Sequence, residues 1–363
     1  MKMIRLLRSN TALFMVVFVM SSMSVWAEEG DAADDSGRYF MAMPYGGYTT
    51  DTGLFAGAFA QKGYHPERYR ISTLGVSTMY SVKKQFSFSG KLDHYFPGGR
   101  DRLYISCMYE KYPSYFYGLG NETDNDDAEK YTPEYVKSRV FFEHRVKGYF
   151  KIKTGFQFRN QALVQVDREG ILLASRAPYA RGRFDAGPEL ALVWDSRDNT
   201  LATKNGTLLE AVCYGSVIRN EGGGYNGLAL DARKFVTVFS DVVLAYMAEI
   251  TDFRGHVPFY LYTSLGGYDR LRGYEKNRFV DRSTLLFQYD IRFPVYGSFG
   301  GVVFGSTGRV GPDVESLLSG QYHSAFGVGL RWFYNRADNL VLGLDYARGK
   351  DSTGFYAGFG EAF

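Results

Sequence analysis

An arginine flanked by turn-forming residues is the first candidate for chemistry in this sequence. The stretch GGYDRLRGYEKNRFVDRS covers residues 266–283 and has Arg272-Gly273-Tyr274 at its centre. A guanidinium group presents a planar fork of N–H donors that matches carboxylates. Glycine permits the tight backbone turn that could carry such a group inward. On composition alone, a solvated arginine in a surface loop is the simpler interpretation, so the surrounding elements must decide.

Catalytic and metal-binding patterns are absent from the sequence, so we expect neither an enzyme nor a cofactor. It has no Gly-x-Ser-x-Gly motif. Its five histidines are scattered without metal-ligand spacing. The acidic stretch GLGNETDNDD (118–127) lacks the spaced ligands of a calcium loop and is interpreted as solvated surface.

Composition favours an exported β protein. Aromatic residues make up 17% of the chain, with 42 glycines and only 10 prolines, a mixture typical of strands with one wet and one aromatic-rich face. The net charge of +3 gives no indication of a nucleic-acid partner. Residues 1–27 have a basic start, a short apolar run and small residues before the cut, which predicts a signal peptide. Residues 28–37 are acidic and small, and predict a short disordered periplasmic tail.

Hydrophobic alternation with a period of two recurs along residues 38–363. In STLLFQYDIRFPV (283–295), Gln288, Asp290 and Arg292 alternate with apolar residues, and YVKSRVFFEHRV (135–146) repeats the pattern. Such segments are long for globular strands, and a charged face on nearly every strand leaves little core. We therefore predict an all-β fold, a closed antiparallel transmembrane β-barrel of about 16 strands. The predicted strand starts lie near residues 38, 53, 68, 84, 101, 134, 149, 184, 206, 225, 242, 283, 299, 322, 339 and 353.

Four stretches of the chain resemble the bacterial surface antigen family, the barrel of BamA/TamA-type outer-membrane proteins. The resemblance implies a form that lacks the periplasmic polypeptide-transport-associated domains, because only residues 28–37 precede the first predicted strand. The stretches that carry it are MPYGGYTTDTGLFAGAF (43–59), WDSRDNTLATKNGTLLEA (194–211), GGYDRLRGYEKN (266–277) and DYARGKDSTGFYAGFGEAF (345–363).

The resemblance gives the arginine a place inside the protein. It implies that the long extracellular loop 254–282 folds back into the lumen, where Arg272 pairs with carboxylates of the inner wall. Asp290 is the first candidate partner and Asp345 the second, while Tyr274 packs on the wall. The sequence departs from the family pattern at Ser306, where an acidic residue is often found.

The final strand carries a further implication of the resemblance. Phe359 and Phe363 are expected to form the C-terminal sorting signal that the barrel assembly machinery reads during biogenesis. They share the lipid-facing parity with Phe355, and Glu361 interrupts that pattern.

Two functions follow from these expectations. The first is a role in outer-membrane assembly or in protein or lipid translocation, in the cell outer membrane and in contact with its lipids. A separate periplasmic partner and a homo-oligomer are both left open. The second is a passive porin-like channel or structural protein, whose lumen would carry a basic wall patch formed by Lys137, Arg139, Lys151, Lys153 and Arg159.

Overall fold

Antiparallel strands make up most of the chain. The computed structural model describes residues 39–49, 53–67, 70–175, 177–199, 202–217, 223–239, 241–335 and 340–363. The first nine strands are β1 (Tyr39–Thr49), β2 (Gly53–Glu67), β3 (Arg70–Ser81), β4 (Phe86–Tyr95), β5 (Asp101–Lys111), β6 (Ser114–Phe116), β7 (Glu129–Lys147), β8 (Phe150–Gln165) and β9 (Phe184–Asp195). The others are β10 (Gly206–Gly215), β11 (Tyr225–Thr237), β12 (Val243–Gly255), β13 (Thr263–Leu265), β14 (Phe279–Asp281), β15 (Ser283–Tyr296), β16 (Phe299–Gly311), β17 (His323–Asn335), β18 (Leu340–Arg348) and β19 (Thr353–Phe359).

Helical structure is limited to short pieces. The one-turn helix α1 covers Ile171–Ala174, and two 3₁₀ turns cover Phe259–Leu261 and Glu315–Leu318. In the part of the chain that the structure describes, no helix has the length and apolar character needed to cross a membrane. The prediction of an all-β antiparallel protein is confirmed at this level.

The long strands form one antiparallel meander. Each pairs with the next from β1 to β5, then from β7 to β12, and from β15 to β19, with β5 joined to β7 and β12 joined to β15. Strand β6 adds to β7, while β13 and β14 form a separate hairpin. The described strands carry no ladder between β1 and β19, so closure of the sheet remains a prediction.

The two faces of the sheet have opposite chemistry. Along β15 the side chains of Gln288, Asp290 and Arg292 are buried, whereas Phe287 and Tyr289 between them are 42% and 37% exposed. The polar face, called the inner face below, is therefore covered, and the apolar face is open. This inversion is what a hydrocarbon environment favours, because lipid accepts apolar side chains while polar groups must be satisfied within the protein.

The connection between β12 and β15, residues 256–282, covers part of the inner face and is called the inner loop. Its hairpin packs on β15 and β16. Leu265, Leu271, Tyr274 and Phe279 of the loop share a buried apolar cluster with residues of β15, β16 and β17. These apolar contacts hold the inner loop against the wall independently of its ion pairs.

A second connection covers the inner loop. Arg278 donates to the hydroxyl and carbonyl oxygens of Thr123 and to Asn125 Oδ1, each at 2.5 Å. Tyr117 hydrogen-bonds to Glu275. Burial lowers the pKa of Arg278 because the guanidinium has lost water. These contacts join the stretch 117–125 to the inner loop, and the two together are called the cap.

Candidate functional site

Arg272 binds two different strands from the tip of the inner loop. Its side chain is 1% exposed. Nη2 donates to Asp290 Oδ1 of β15 at 2.5 Å, and Nη1 donates to Asp345 Oδ2 of β18 at 2.8 Å. The guanidinium carbon lies 3.5 Å from the centre of the Phe304 ring of β16. The structure therefore brings the loop arginine together with both carboxylates named from the sequence.

The backbone around Arg272 adopts conformations that suit a sharp inward turn. Leu271 has φ of +63° and Gly273 has φ of +111°. A Cβ atom at Gly273 would lie 3.0 Å from the nitrogen of Gly349 and 3.1 Å from Cβ of Ala325. Glycine is favoured at 273 on both grounds, because other residues rarely adopt this φ and a Cβ atom would make unusually tight contacts with the wall.

Tyr274 fixes the turn to the last strands. Its hydroxyl donates to the carbonyl of Ser324 at 3.3 Å and accepts from the amide of Lys350 at 3.1 Å. The hydroxyl of Tyr356 on β19 accepts from the amide of Gly273 at 2.9 Å and donates to the carbonyl of Tyr274 at 3.1 Å. The predicted motif Arg272-Gly273-Tyr274 thus makes contacts with the wall at every residue.

Six side chains form a closed ring of ion pairs in which positive and negative groups alternate. We call it the charge ring. Its N–O distances are 2.5 Å for Arg272–Asp290, 2.8 Å for Arg272–Asp345, 2.5 Å for Arg331–Asp345, 2.8 Å for Arg331–Glu361, 3.8 Å for Arg292–Glu361 and 3.2 Å for Arg292–Asp290. Three arginines and three carboxylates leave no net charge.

Burial makes the charge ring sensitive to the loss of any member. The side chains of all six residues are at most 9% exposed. A buried ion pair offsets its own desolvation only when its geometry is complete. Removing one partner leaves an uncompensated buried charge, which costs roughly 3–5 kcal/mol. The ring is therefore better evidence for a specific arrangement than for exceptional stability.

Glu361 reaches the charge ring because the chain leaves the wall after β19. Gly360 has φ of +79° and donates its amide to the carbonyl of Val341 at 2.8 Å. The segment then turns to the inner face, where Arg292 donates to the main-chain oxygen of Phe363 at 2.9 Å. A carboxylate on the lipid-facing side would be costly, and the turn places it among arginines instead.

The inward turn corrects one expectation. Phe363 was expected on the lipid-facing parity, but its ring centre lies 6.4 Å from that of Phe235, a buried residue of β11 on the inner face. It also lies 5.6 Å from the guanidinium carbon of Arg292. The alternation stops at Gly360, so the parity cannot be extended to Phe363. The side chain of Phe359 lies outside the described part of the structure, and the sorting role of both residues remains a prediction.

Gly329 is a further wall position that shapes the charge ring. Gly329 lies opposite Asp345, and a Cβ atom there would be 2.0 Å from Asp345 Oδ1 and 2.9 Å from Arg331 Nη1. Ser306, the departure from the family pattern, is buried, and its hydroxyl has no hydrogen-bond partner among the described atoms. The second carboxylate for Arg272 is provided by Asp345 on β18.

The site offers no indication of a resident metal. Within the described ranges, no three His, Cys, Asp or Glu side chains are grouped so that they could hold a metal ion. The arrangement holds the inner loop against the wall through ion pairs and hydrogen bonds.

Comparison with known proteins gives the family and the fold. Residues 72–363 match the Omp85 superfamily domain. A search of curated proteins gives no match. Among solved structures, BamA from Haemophilus ducreyi lacking POTRA domains 1–3 is similar with a TM-score of 0.59 at 13% identity, over 89% of this chain and 69% of that one.

Two CdiB structures are similar as well. CdiB from Escherichia coli has a TM-score of 0.63 at 11% identity over 90% of this chain, and CdiB from Acinetobacter baumannii has 0.54 at 14% identity over 88%. The alignments span 63% and 59% of those chains, so this chain accounts for about three fifths of each. At these identities the likeness concerns the fold alone.

Proposed function

The chain belongs to the Omp85 superfamily, and from that membership we propose that it closes into an outer-membrane barrel acting in membrane assembly or in protein or lipid translocation. In this role it would touch outer-membrane lipids, depend on the barrel assembly machinery for its own insertion, and perform no catalysis. Membership of the Omp85 superfamily agrees with the resemblance to surface antigen barrels that the sequence indicated.

The observation that carries the proposal is the anchoring of the inner loop by Arg272. The guanidinium joins β15 to β18 from inside the sheet. A loop bound in this way obstructs the interior and couples it to the strands near the end of the sheet. Such an obstruction would lower the conductance of the barrel, which supports a role other than steady diffusion.

Closure of the sheet is part of the proposal. Strands β1 and β19 would otherwise present free edges, and hydrocarbon cannot satisfy their backbone groups. Strand β19 has seven residues against eleven in β1, and it includes Gly354 and Gly358, which contribute little packing. These features support a short, weak seam between the two strands, able to open sideways.

The passive channel receives less support from the wall. Of the five cations in the proposed basic patch, Arg139 donates to Glu189 at 2.8 Å and Lys153 to Glu210 at 2.8 Å. Lys151 lies 3.4 Å from Glu143. Most of the patch is therefore compensated, and it would give a pore only a weak preference for anions.

The test combines a cellular and an electrical measurement. Depletion of the protein should change the levels of other outer-membrane proteins or lipids, and the purified barrel in a planar bilayer should conduct little. Normal levels, together with a large steady conductance that Arg272→Ala leaves unchanged, would exclude the proposed role and favour a passive channel.

A further inference from the structure

Two cations face each other on neighbouring strands of the inner face. Lys137 of β7 and Arg159 of β8 are directly opposite in the ladder. Both approach the Tyr135 ring, with Lys137 Nζ at 5.9 Å and the Arg159 guanidinium carbon at 4.2 Å from its centre. Like charges placed directly opposite each other in a sheet repel and destabilise the pair. Such a pair therefore needs a compensating group.

No described carboxylate forms an ion pair with either cation, although the charge of Glu110 acts on both from a greater distance. Among the described residues, neither Lys137 nor Arg159 takes part in an ion pair within 4.0 Å. By contrast, Arg139, Lys151 and Lys153 on the same two strands all have carboxylate partners. The difference is local, because these strands have carboxylates available to three neighbouring cations. Among the five cations of the basic patch named from the sequence, Lys137 and Arg159 are therefore the two without an ion pair in the described residues.

Two carboxylates on the neighbouring strands are already engaged. Glu110 accepts the hydroxyl proton of Tyr135. Asp185 lies opposite Arg159 on β9, but it accepts from the hydroxyl of Tyr225 at 2.6 Å and pairs with Arg183 at 3.3 Å. Neither carboxylate forms an ion pair with Lys137 or Arg159 in the described residues.

Arg159 also has unused hydrogen-bonding capacity. Nη2 donates to Gln161, whereas Nε is buried and has no partner among the described atoms. Its guanidinium carbon is 4.9 Å from the centre of the Tyr260 ring in the inner loop. The Nε atoms of Arg145, Arg183, Arg270 and Arg272 are unsatisfied as well, so the indication of an acceptor comes from the position of Arg159 opposite Lys137.

We propose that Lys137 and Arg159 form a binding site for a phosphate group on the inner face, between the wall and the inner loop. A phosphate carries a charge near −2 and several strong acceptor oxygens. The arginine fork and the lysine point charge are the usual donors for it, and Tyr135 and Tyr260 give the site aromatic sides. The group is either inorganic phosphate or the phosphate monoester of a sugar or lipid headgroup, since all three present anionic phosphoryl oxygens.

Binding is measured on the purified full chain in non-ionic detergent by isothermal titration calorimetry, at constant ionic strength set with chloride. Inorganic phosphate, glucosamine 6-phosphate and glycerol 3-phosphate are the probes, with acetate for comparison. Saturable binding of at least one phosphate, tighter than acetate, is the expected result. The tightest probe identifies the source as free phosphate, a phosphorylated sugar or a lipid headgroup.

Variants distinguish phosphate binding at this site from non-specific attraction of anions to the charged inner face. Arg159→Gln and Lys137→Gln should each weaken phosphate binding at least tenfold, whereas Lys153→Gln, which removes a paired cation, should leave it unchanged. Lys137→Arg keeps the charge and should retain binding, which guards against a variant that fails to fold. Absence of saturable binding, or equal weakening in Lys153→Gln, would overturn the proposal.

Discussion

Arg331 and Glu361 form an ion pair of 2.8 Å, although Glu361 lies beyond the last strand of the sheet. Arg331 also binds Asp345, the carboxylate that holds the loop arginine Arg272. The segment after β19 and the tip of the inner loop therefore share one set of partners. We infer that the position of one is coupled to the position of the other.

Removal of Arg272 should release the inner loop. Arg272→Ala leaves Asp290 and Asp345 with one arginine each, and we expect a loss of roughly 3–5 kcal/mol in loop anchoring. Tryptic cleavage after Lys276, followed by mass spectrometry of the folded protein, should become faster. Arg272→Lys should also fail to anchor the loop, because an ammonium group cannot hold two carboxylates in a planar fork.

A matched arginine gives the control for that experiment. Arg254 at the end of β12 pairs with Asp252, but its side chain is 71% exposed. Exposed pairs contribute about 0–1 kcal/mol. Arg254→Ala should therefore leave cleavage after Lys276 unchanged. If Arg272→Ala and Arg254→Ala gave the same cleavage rate, the anchoring role of Arg272 would be refuted.

Neutralising Glu361 should loosen the last strand. Glu361→Gln keeps the shape of the side chain but removes the negative charge shared by Arg331 and Arg292, at a cost of roughly 3–5 kcal/mol. Hydrogen exchange of the β19 peptide should become faster in the variant. Unchanged exchange in β19 would show that the segment after it is not held by the charge ring.

A methyl group at position 329 should disrupt the charge ring from the wall side. In Gly329→Ala the new Cβ would clash with Asp345 Oδ1, at a cost of about 1–3 kcal/mol for overpacking. Gly90→Ala in β4 is the control, because nothing lies within 4 Å of a Cβ there. Urea unfolding should show a lower midpoint for the first variant only, and equal midpoints would contradict this account.

The cap should become more stable as the pH falls. Burial raises the pKa of Asp281, in the β14 strand of the inner loop, above its ordinary value near 3.8. A raised folded-state pKa favours the protonated form, so its contribution is fully present below 3.8 and is lost as the pH rises through the folded-state pKa. Protection of the inner loop from hydrogen exchange, corrected for intrinsic rates, should therefore increase on acidification.

The Asp281→Asn variant isolates that effect. It should show high protection at neutral pH and a weaker pH dependence, since the amide carries no charge to desolvate. Asp351→Asn, at an exposed position, should behave as the unmodified protein. If the Asp281→Asn variant kept the pH dependence of the unmodified protein, the effect would arise from another titratable group.

Most of the sheet could be predicted from alternation alone. The predicted start of β15 at residue 283 matches the structure, whereas β7 begins at Glu129 instead of near 134. Its first residues pair with β6, so that part of the strand is set by a local hairpin. Strands β6, β13 and β14 were missed because three residues are too few to display a period of two.

The site was predictable only in part. Asp290 and Asp345 could be assigned from the parity of long strands and from the family resemblance. Glu361 was visible as a break in the final pattern, but its position depends on the turn at Gly360, which alternation does not reveal. The requirement for glycine at 329 arises from the Asp345 side chain on the next strand, a tertiary constraint with no local signal.

The closed form of the charge ring also determines how the inner loop can leave the wall. If the inner loop moved only partly away from the wall, a buried charge would lose its partner without reaching water. Intermediate positions of the loop are therefore less favourable than either the bound or the released position. Release would then behave as a threshold event: weak pulls on the loop are resisted and a sufficient one detaches it completely, giving the protein two discrete settings instead of a continuous range.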